Sequence, residues 1–207
     1  MQVERYTCGM FATNTYLVAG KTAGTCLLVD PADNGAQLVR LLEQRGLYPE
    51  AVLLTHGHYD HILALTQLQQ HWPELPVYCH PLDIPTETRE YDMGMWFPTV
   101  AAFSNLHHLE DGQALSPAGL EVTVLHTPGH TPGSVSFCVE DLLFTGDTLF
   151  CGSIGRTDFA GGDDQQMENS LRRLAALPGD WTVLPGHEST TTLERERRSN
   201  PYLKHLR

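Results

Sequence analysis

The sequence lacks the features that would point to a membrane or to a nucleic acid as the main partner. No run approaches the roughly 18 apolar residues that a membrane helix needs. Lys and Arg together number 13 against 25 Asp and Glu, which gives a formal charge of −12. Because a surface that binds nucleic acid or anionic lipid needs an excess of cations, we expect neither partner.

The cysteines and the first residues both favour the cytoplasm. The 5 cysteines are widely spaced and form no CxxC pair, which indicates reduced thiols rather than a disulfide framework. Glu4 and Arg5 lie inside the first strand-like run, unlike the layout of a signal peptide. Since there is also no Pro/Gly/Ser-rich linker and no visible repeat, we expect one domain over residues 1–207.

The apolar pattern predicts an α/β protein in which strands and helices are mixed. Strands are predicted over residues 15–20, 25–30, 51–55, 76–79, 120–125, 134–139, 142–145 and 181–184. Helices are predicted over residues 34–46, around Ile62, Leu65 and Leu68, and over residues 163–177 and 190–199. Residues 83–103 fit no period, and we interpret them as a lid or a long connection. This order suggests two packed sheets with helices outside.

The most informative segment is His56-Gly57-His58-Tyr59-Asp60-His61, which follows the strand predicted at 51–55. Side chains two apart in an extended segment point the same way, so His56, His58 and Asp60 can converge. His61 lies where a helix is predicted to begin and can turn back toward the same point. Several imidazoles and a carboxylate are costly to pack without partners. The cluster therefore predicts metal ligation rather than a solvated loop.

Three further candidate ligands lie at the carboxyl ends of other predicted strands. They are His130 in TPGH, Asp147 in TGD and His187 in PGH. In each case a glycine precedes the candidate, which lets the backbone bend sharply after the strand. Ligand sites in mixed α/β proteins favour strand ends, where loops gather at one edge of a rigid sheet. With the first cluster, four strand ends each deliver candidate ligands, which is hard to explain as packing.

Together these segments offer five histidines and two aspartates as candidate metal ligands. Nitrogen and oxygen ligands without a thiolate suit zinc, iron or manganese better than a structural cysteine-rich zinc site does. Seven ligands exceed the four of a closed site, so we expect two adjacent divalent ions, with zinc as the first expectation and iron or manganese as alternatives. Paired ions of this kind lie about 3.5–4 Å apart.

The motif His56-x-His58-x-Asp60-His61, followed by His130, Asp147 and His187, resembles the metallo-β-lactamase superfamily. The stretches TPGHTPGS (127–134), GRTDF (155–159) and PGHE (185–188) resemble the glyoxalase II-like hydrolases, which cleave acyl thioesters of glutathione. The resemblance implies an αββα sandwich with two mixed sheets. It also implies that His56, His58 and His130 hold one metal, that Asp60, His61 and His187 hold the other, and that Asp147 bridges them.

The resemblance predicts a binuclear hydrolase of a small-molecule acyl thioester such as hydroxyacylglutathione, with a metal-bridging hydroxide as the nucleophile. Asp60 is expected to act in catalysis by ligating and orienting, without shuttling protons. Only twenty residues follow His187, whereas full-length glyoxalase II enzymes carry a helical C-terminal domain with glutathione contacts. We therefore expect the short, single-domain branch, in which metal hydrolysis is better supported than glutathione as the substrate handle.

The main alternative is a persulfide dioxygenase, an iron oxidoreductase of the same fold with similar motifs. In that hypothesis one iron is held by a facial set of two histidines and a carboxylate, here His56, His130 and Asp147. The PGHE form around His187 favours the hydrolase.

Two smaller expectations concern neighbouring residues. Cys151 lacks a suitably spaced acid–base partner and is not expected to be a nucleophile. Arg156 and Asp158 are expected to form a structural ion pair behind Asp147 rather than to bind substrate.

Overall fold

Two six-stranded sheets lie face to face in the structure, a computed structural model that describes residues 2–83 and 104–206. The first sheet has the order β1 to β6, with β1 (Val3–Cys8), β2 (Thr13–Ala19), β3 (Thr25–Val29), β4 (Tyr48–Leu53), β5 (Val77–Cys79) and β6 (Leu106–His108). The first three strands pair antiparallel, and the pairs from β3 to β6 are parallel. The sheet is therefore mixed.

The second sheet is also mixed. Its strands are β7 (Ala114–Leu115), β8 (Val122–His126), β9 (Val135–Val139), β10 (Leu142–Gly146), β13 (Thr182–Pro185) and β14 (Thr191–Thr192), in the order β14-β13-β10-β9-β8-β7. Only the β10–β13 pair is parallel. Between β10 and β13 the chain forms a separate small hairpin, β11 (Leu149–Phe150) with β12 (Ser153–Ile154).

The strands bury apolar residues on both faces, which gives the molecule three apolar layers. In β3, Leu27 and Val29 pack into the layer between the sheets, where Phe137 and Phe144 of the second sheet also lie. Cys26 and Leu28 of the same strand point to the opposite face. This alternation follows from the period of two in a strand, and it requires helices to cover both outer faces.

Helices supply that cover on each side. On the first sheet lie α1 (Gly35–Gln44) and α2 (Leu65–His71), whose buried leucines join the outer apolar cluster of β3 and β4. The second sheet is covered by α3 (Asp164–Ala175), α4 (Leu193–Ser199) and α5 (Pro201–Lys204). The predicted αββα sandwich with helices on the outer faces is thereby confirmed. No helix within residues 2–83 and 104–206 is both long and apolar enough to cross a membrane.

The predicted elements differ from the observed ones mainly at their ends. Residues 59–61 form a short 3-10 turn, and α2 starts only at Leu65. The last predicted helix begins at Leu193 rather than at residue 190, because Thr191–Thr192 pairs with β13 and the Thr192 hydroxyl accepts from the Arg195 amide. The proposed lid at residues 83–103 lies outside the described residues except for Asp83, which is buried.

Removing an aromatic side chain from the layer between the sheets should lower the stability of the fold. Phe137 is fully buried there, so we expect Phe137→Ala to lower the free energy of unfolding by about 3–5 kcal/mol. Chemical denaturation measures the loss. Tyr202 is 46% exposed, so Tyr202→Ala is the control and changes that free energy by about 0.5 kcal/mol or less. Equal losses in the two variants would contradict a core between the sheets.

Candidate metal centre

The seven predicted ligands lie together at one edge of the two sheets. The first cluster follows β4, His130 follows β8, Asp147 directly follows β10, and His187 comes two residues after β13. The glycine turns are needed where the backbone comes close to its neighbours. At Gly129, with φ 141°, an added Cβ would lie 2.4 Å from the Met167 backbone of α3. At His130, Asp147 and His187 the predicted order of strand, glycine and ligand therefore places the side chain at this edge.

The ligand atoms form two sets of the size that a metal ion requires. In the three-histidine set, His56, His58 and His130 each offer a nitrogen, and these atoms lie within 4.8 Å of one another. In the aspartate–histidine set, Asp60, His61 and His187 meet the same criterion. Both sets have the membership that the sequence predicted.

Asp147 lies between the two sets and faces both of them. Its Oδ2 lies 3.5 Å from Nε2 of His130 and 3.4 Å from Nε2 of His187. Its Oδ1 lies 3.6 Å from Nε2 of His61 and, with His56 and His61, forms a third group of ligand atoms within 4.8 Å. One carboxylate thus contacts members of each set, which is the placement expected of a bridging ligand.

Three buried atoms of the cluster make no hydrogen bond, as expected of atoms that face a cation. Among the described residues, His56 Nε2, His61 Nε2 and Asp147 Oδ1 are buried side-chain atoms with no hydrogen bond. Leaving such an atom unpaired costs about 1–3 kcal/mol. In addition, Nδ1 of His58 lies 2.8 Å from Nε2 of His130, and two lone pairs at that distance repel unless a proton or a cation lies between them. The donor set therefore fits divalent metal.

Two residues that the sequence analysis missed orient the buried imidazoles. Asp30 Oδ2 accepts from His61 Nδ1 at 3.0 Å and from the Thr55 hydroxyl at 2.6 Å. Since that hydroxyl donates to Asp30, its oxygen accepts from Nδ1 of His56 at 3.1 Å. In their neutral form both imidazoles thus keep the proton on Nδ1 and direct the Nε2 lone pair into the site. Such outer hydrogen bonds fix the tautomer of a metal-binding histidine.

Three more ligands are held by backbone carbonyls and by one threonine. Nδ1 of His130 donates to the Arg156 carbonyl at 2.7 Å, and Nδ1 of His187 donates to the Phe11 carbonyl at 3.1 Å. The Thr13 hydroxyl donates to Asp60 Oδ2 at 2.6 Å. These bonds attach the site to the β1–β2 turn and to the GRTDF segment, so the ligand geometry is set by distant parts of the chain.

The charges divide the site into a neutral side and an ionised side. Burial, together with the neighbouring imidazoles, lowers the pKa of His56 well below its usual value and that of His58 to about 4. Burial also opposes charge on His61, but the carboxylates of Asp30 and Asp147 outweigh it and raise the pKa to about 9. Because a metal ligand must be the neutral imidazole, metal binding at His61 releases a proton.

The same balance holds for the other members of the ionised side. Burial opposes charge on His187, but the hydrogen bonds that it donates to Asp147 and Asp60 outweigh burial and raise its pKa to about 10. Burial alone would raise the pKa of the Asp60 and Asp147 carboxyls, yet the neighbouring histidines hold both below their usual values. Both carboxylates are therefore ionised at neutral pH and available to a cation.

A cavity of about 610 Å³ opens over the ligands. Phe11, Phe150, Ile154 and Phe159 are its apolar lining residues. Arg156 also lines the cavity. Its Nε and Nη2 each donate to the Asp158 carboxylate at 2.6 Å, and the centre of its guanidinium lies 3.8 Å from the Phe159 ring centroid. The predicted ion pair therefore exists, but it is exposed at the cavity wall rather than behind Asp147. Only the Arg156 backbone reaches a ligand, through His130.

The fold and this cluster define a class of α/β sandwiches that carry a histidine–aspartate site able to hold metal. Residues 8–187 match the family model of the metallo-β-lactamase superfamily. The chain belongs to that superfamily.

Three similar proteins indicate the range of the family. Hydroxyacylglutathione hydrolase GloC of Haemophilus influenzae is 36% identical over 85% of this chain and 86% of its own length. The crystal structure of TTHA1623 in a di-iron-bound form is 38% identical, with a TM-score of 0.82 over 97% of this chain and all of the other. The BLEG-1 B3 metallo-β-lactamase is 33% identical, with a TM-score of 0.85 over 98% and 99% of the two chains.

The crowding around Gly186 predicts that a single methyl group disturbs the site. A Cβ at Gly186 would lie 2.2 Å from Asp147 Oδ1 and 2.7 Å from Cε1 of His61. We therefore expect Gly186→Ala to displace both side chains and to lower metal affinity by at least about tenfold. Titration of metal-free protein with Zn²⁺ measures this change.

The matched control is Gly179→Ala, which adds the same methyl group far from the ligands. Gly179 has φ 75°, and no atom lies within 4 Å of the added Cβ. This variant carries a backbone cost of about 1 kcal/mol and should bind Zn²⁺ like the wild type. If Gly186→Ala bound metal as tightly as Gly179→Ala, the described packing of Asp147 would be wrong.

Proposed function

We propose that this protein is a binuclear metal-dependent hydrolase of acyl thioesters, with a hydroxyacylglutathione as the representative substrate. The observation that carries the proposal is the position of Asp147 between the two sets of ligand atoms, within 3.6 Å of His61 and 3.5 Å of His130. Two ions that share one carboxylate account for all seven predicted ligands. They also give a partner to each of the three unpaired buried atoms.

Relatives of this chain support both parts of the proposal. A protein 36% identical to it is named as a hydroxyacylglutathione hydrolase, and a structure 38% identical to it is described as di-iron-bound. We propose that the three-histidine set and the aspartate–histidine set each hold one divalent ion, with zinc, iron and manganese as the candidates. Their nitrogen and oxygen ligands suit all three metals.

The chemistry of a thioester fits what these side chains offer. When bound, a pair of divalent ions lowers the pKa of a shared water toward neutrality and polarises a carbonyl oxygen. The Thr13 hydroxyl donates to Asp60 at 2.6 Å and keeps the Asp60 carboxylate directed at the proposed metal site. In this role Asp60 ligates and orients without transferring a proton. The leaving thiol has a pKa of about 8.5, so it departs as a thiolate without a strong general acid.

The cavity walls provide the place for the acyl group. Phe159 stands at the mouth with its ring centroid 6.0 Å from that of His58, and Phe150 lies 6.0 Å from the His187 ring. These rings flank the ligands on two sides. A substrate whose carbonyl oxygen faced the bound metal would therefore place its acyl chain against an aromatic wall. Arg156 and Asp158 neutralise each other at this wall, which favours an uncharged acyl group there.

Thioester turnover by metal-loaded protein tests the proposal, with the two motif residues as variants. We expect hydrolysis of S-D-lactoylglutathione by the wild type, and a fall to the uncatalysed rate in His58→Ala and in Asp60→Ala. His58→Ala removes a ligand of the three-histidine set, and Asp60→Ala removes a ligand of the aspartate–histidine set. Release of the thiol, followed with a thiol-reactive dye, measures the rate.

Two controls accompany this assay. Cys151→Ser should retain the wild-type rate, because Cys151 is not among the residues that line the described cavity. Oxygen uptake with glutathione persulfide distinguishes the dioxygenase alternative of the same fold. Uptake by iron-loaded protein that hydrolyses no thioester would overturn the hydrolase, as would a full thioesterase rate in either ligand variant.

A further inference from the structure

One buried carboxylate outside the ligand set connects the two loops that form the three-histidine set. Asp83 ends the 3-10 turn Pro81–Asp83 after β5, and its side chain is buried. Its Oδ1 accepts from the Gly133 amide at 2.9 Å. Its Oδ2 accepts from the Gly57 amide at 3.3 Å and from the Thr131 hydroxyl. All three donors lie within three residues of a ligand.

The two loops come from different sheets, so their relative position needs a connection. Gly57 lies between His56 and His58 after β4 of the first sheet. Thr131 directly follows His130, in the loop between β8 and β9 of the second sheet. At the base of these loops a backbone bond joins the Val135 amide to the Thr55 carbonyl at 2.8 Å. Nearer the ligands, the carboxylate of Asp83 bonds to both loops.

The surroundings of Asp83 leave it little freedom to move. A Cβ at Gly133 would lie 2.7 Å from Oδ1, so the loop packs directly on the carboxylate. The Thr131 hydroxyl is also 2.7 Å from the Ser134 hydroxyl, which fixes the threonine. Any shift of Asp83 would therefore move the loop that carries His130. That loop places Nε2 of His130 2.8 Å from Nδ1 of His58.

We infer that Asp83 is a positioning residue for the three-histidine set, holding the loops of His58 and His130 close enough for one ion to bind both side chains. The inference rests on the proposed function only in taking this set as a metal site. A carboxylate suits the role because it accepts several hydrogen bonds and donates none. An amide of the same size has one accepting oxygen, and its NH₂ group would face one of the three donors.

The experiment is a metal titration of Asp83→Asn, which preserves volume and removes one acceptor. Metal-free protein is titrated with Zn²⁺ in competition with a chromogenic chelator, which resolves the two classes of site. We expect one class to lose about 10–100-fold in affinity, as the loss of an outer hydrogen bond to ligands generally causes. The other class, assigned to Asp60, His61 and His187, should bind as in the wild type.

The control is a second buried carboxylate that joins loops away from the ligands. Glu196 is fully buried and accepts from the Gly152 amide at 2.8 Å, the Thr191 hydroxyl at 2.7 Å and the Asn200 amide at 2.9 Å. Glu196→Gln makes the same chemical change as Asp83→Asn. It should lower the free energy of unfolding and leave both Zn²⁺ affinities unchanged. An equal effect of the two variants on Zn²⁺ binding would overturn the inference.

A milder variant covers the case in which Asp83→Asn folds poorly. Thr131→Val removes one of the three donors at nearly constant volume, and we expect it to weaken the same single class of site by a smaller factor. If Asp83→Asn and Thr131→Val both bind two ions with wild-type affinities, or weaken both classes equally, Asp83 has no positioning role.

These outcomes are independent of thioester turnover. A wild-type chain that binds two ions and hydrolyses no thioester would refute the proposed function and leave the role of Asp83 intact. A wild-type chain that hydrolyses thioesters, beside an Asp83→Asn variant with unchanged affinities, would refute only the role of Asp83. If the wild type binds a single ion, unchanged affinity for that ion in Asp83→Asn refutes the inference and weakened affinity supports it.

Discussion

The hydrogen bond between the Asp30 carboxylate and His61, 3.0 Å long and almost entirely buried, is the interaction on which the rest of the site depends. Asp30 follows the end of β3 with φ 46°, a conformation that is unfavourable for a residue other than glycine. In this position the Asp30 carboxylate accepts hydrogen bonds from the Thr55 amide, the Thr55 hydroxyl and the His61 imidazole. Through Thr55 the same contact extends to His56, so one acid orients two ligands at the junction of both sets.

This arrangement explains why a strongly acidic buried cluster is compatible with a stable fold. Asp30, Asp60 and Asp147 are brought together, and the pKa of His61 and that of His187 are raised to about 9 and 10 by these carboxylates. Protonated imidazoles and divalent cations are two ways of neutralising the same acids. Since a metal ion would displace protons from these rings, its affinity should rise with pH until the competing protons are gone. The site is thus a fixed cluster of carboxylates and imidazoles whose negative charge a cation would balance.

The ligands were predictable from the sequence because their pattern is local. His56 to His61 lie within six residues, and His130, Asp147 and His187 each follow a glycine at the end of an apolar strand. Asp30 also stands at the end of an apolar strand, although Val29 rather than a glycine precedes it, so the strand-end rule without the glycine could have found it. Asp83 and Thr13 carry no such signal, since their partners lie 26 to 50 residues away and only the folded chain brings them close. The short edge strands, such as β7 and β14, escaped prediction because two residues show no period and pair only through tertiary contacts.

Two metal ions are proposed at this edge of the sandwich, and a count of metal per chain decides whether they are present. Related proteins of this fold bear names as different as hydroxyacylglutathione hydrolase and metallo-β-lactamase, so the fold alone does not settle the chemistry. Elemental analysis of protein produced with zinc, iron and manganese all supplied should find close to two equivalents per chain. In the same analysis His187→Ala should retain about one, because it removes a ligand of one set only. A single equivalent in the wild type, mostly iron, would contradict the binuclear site.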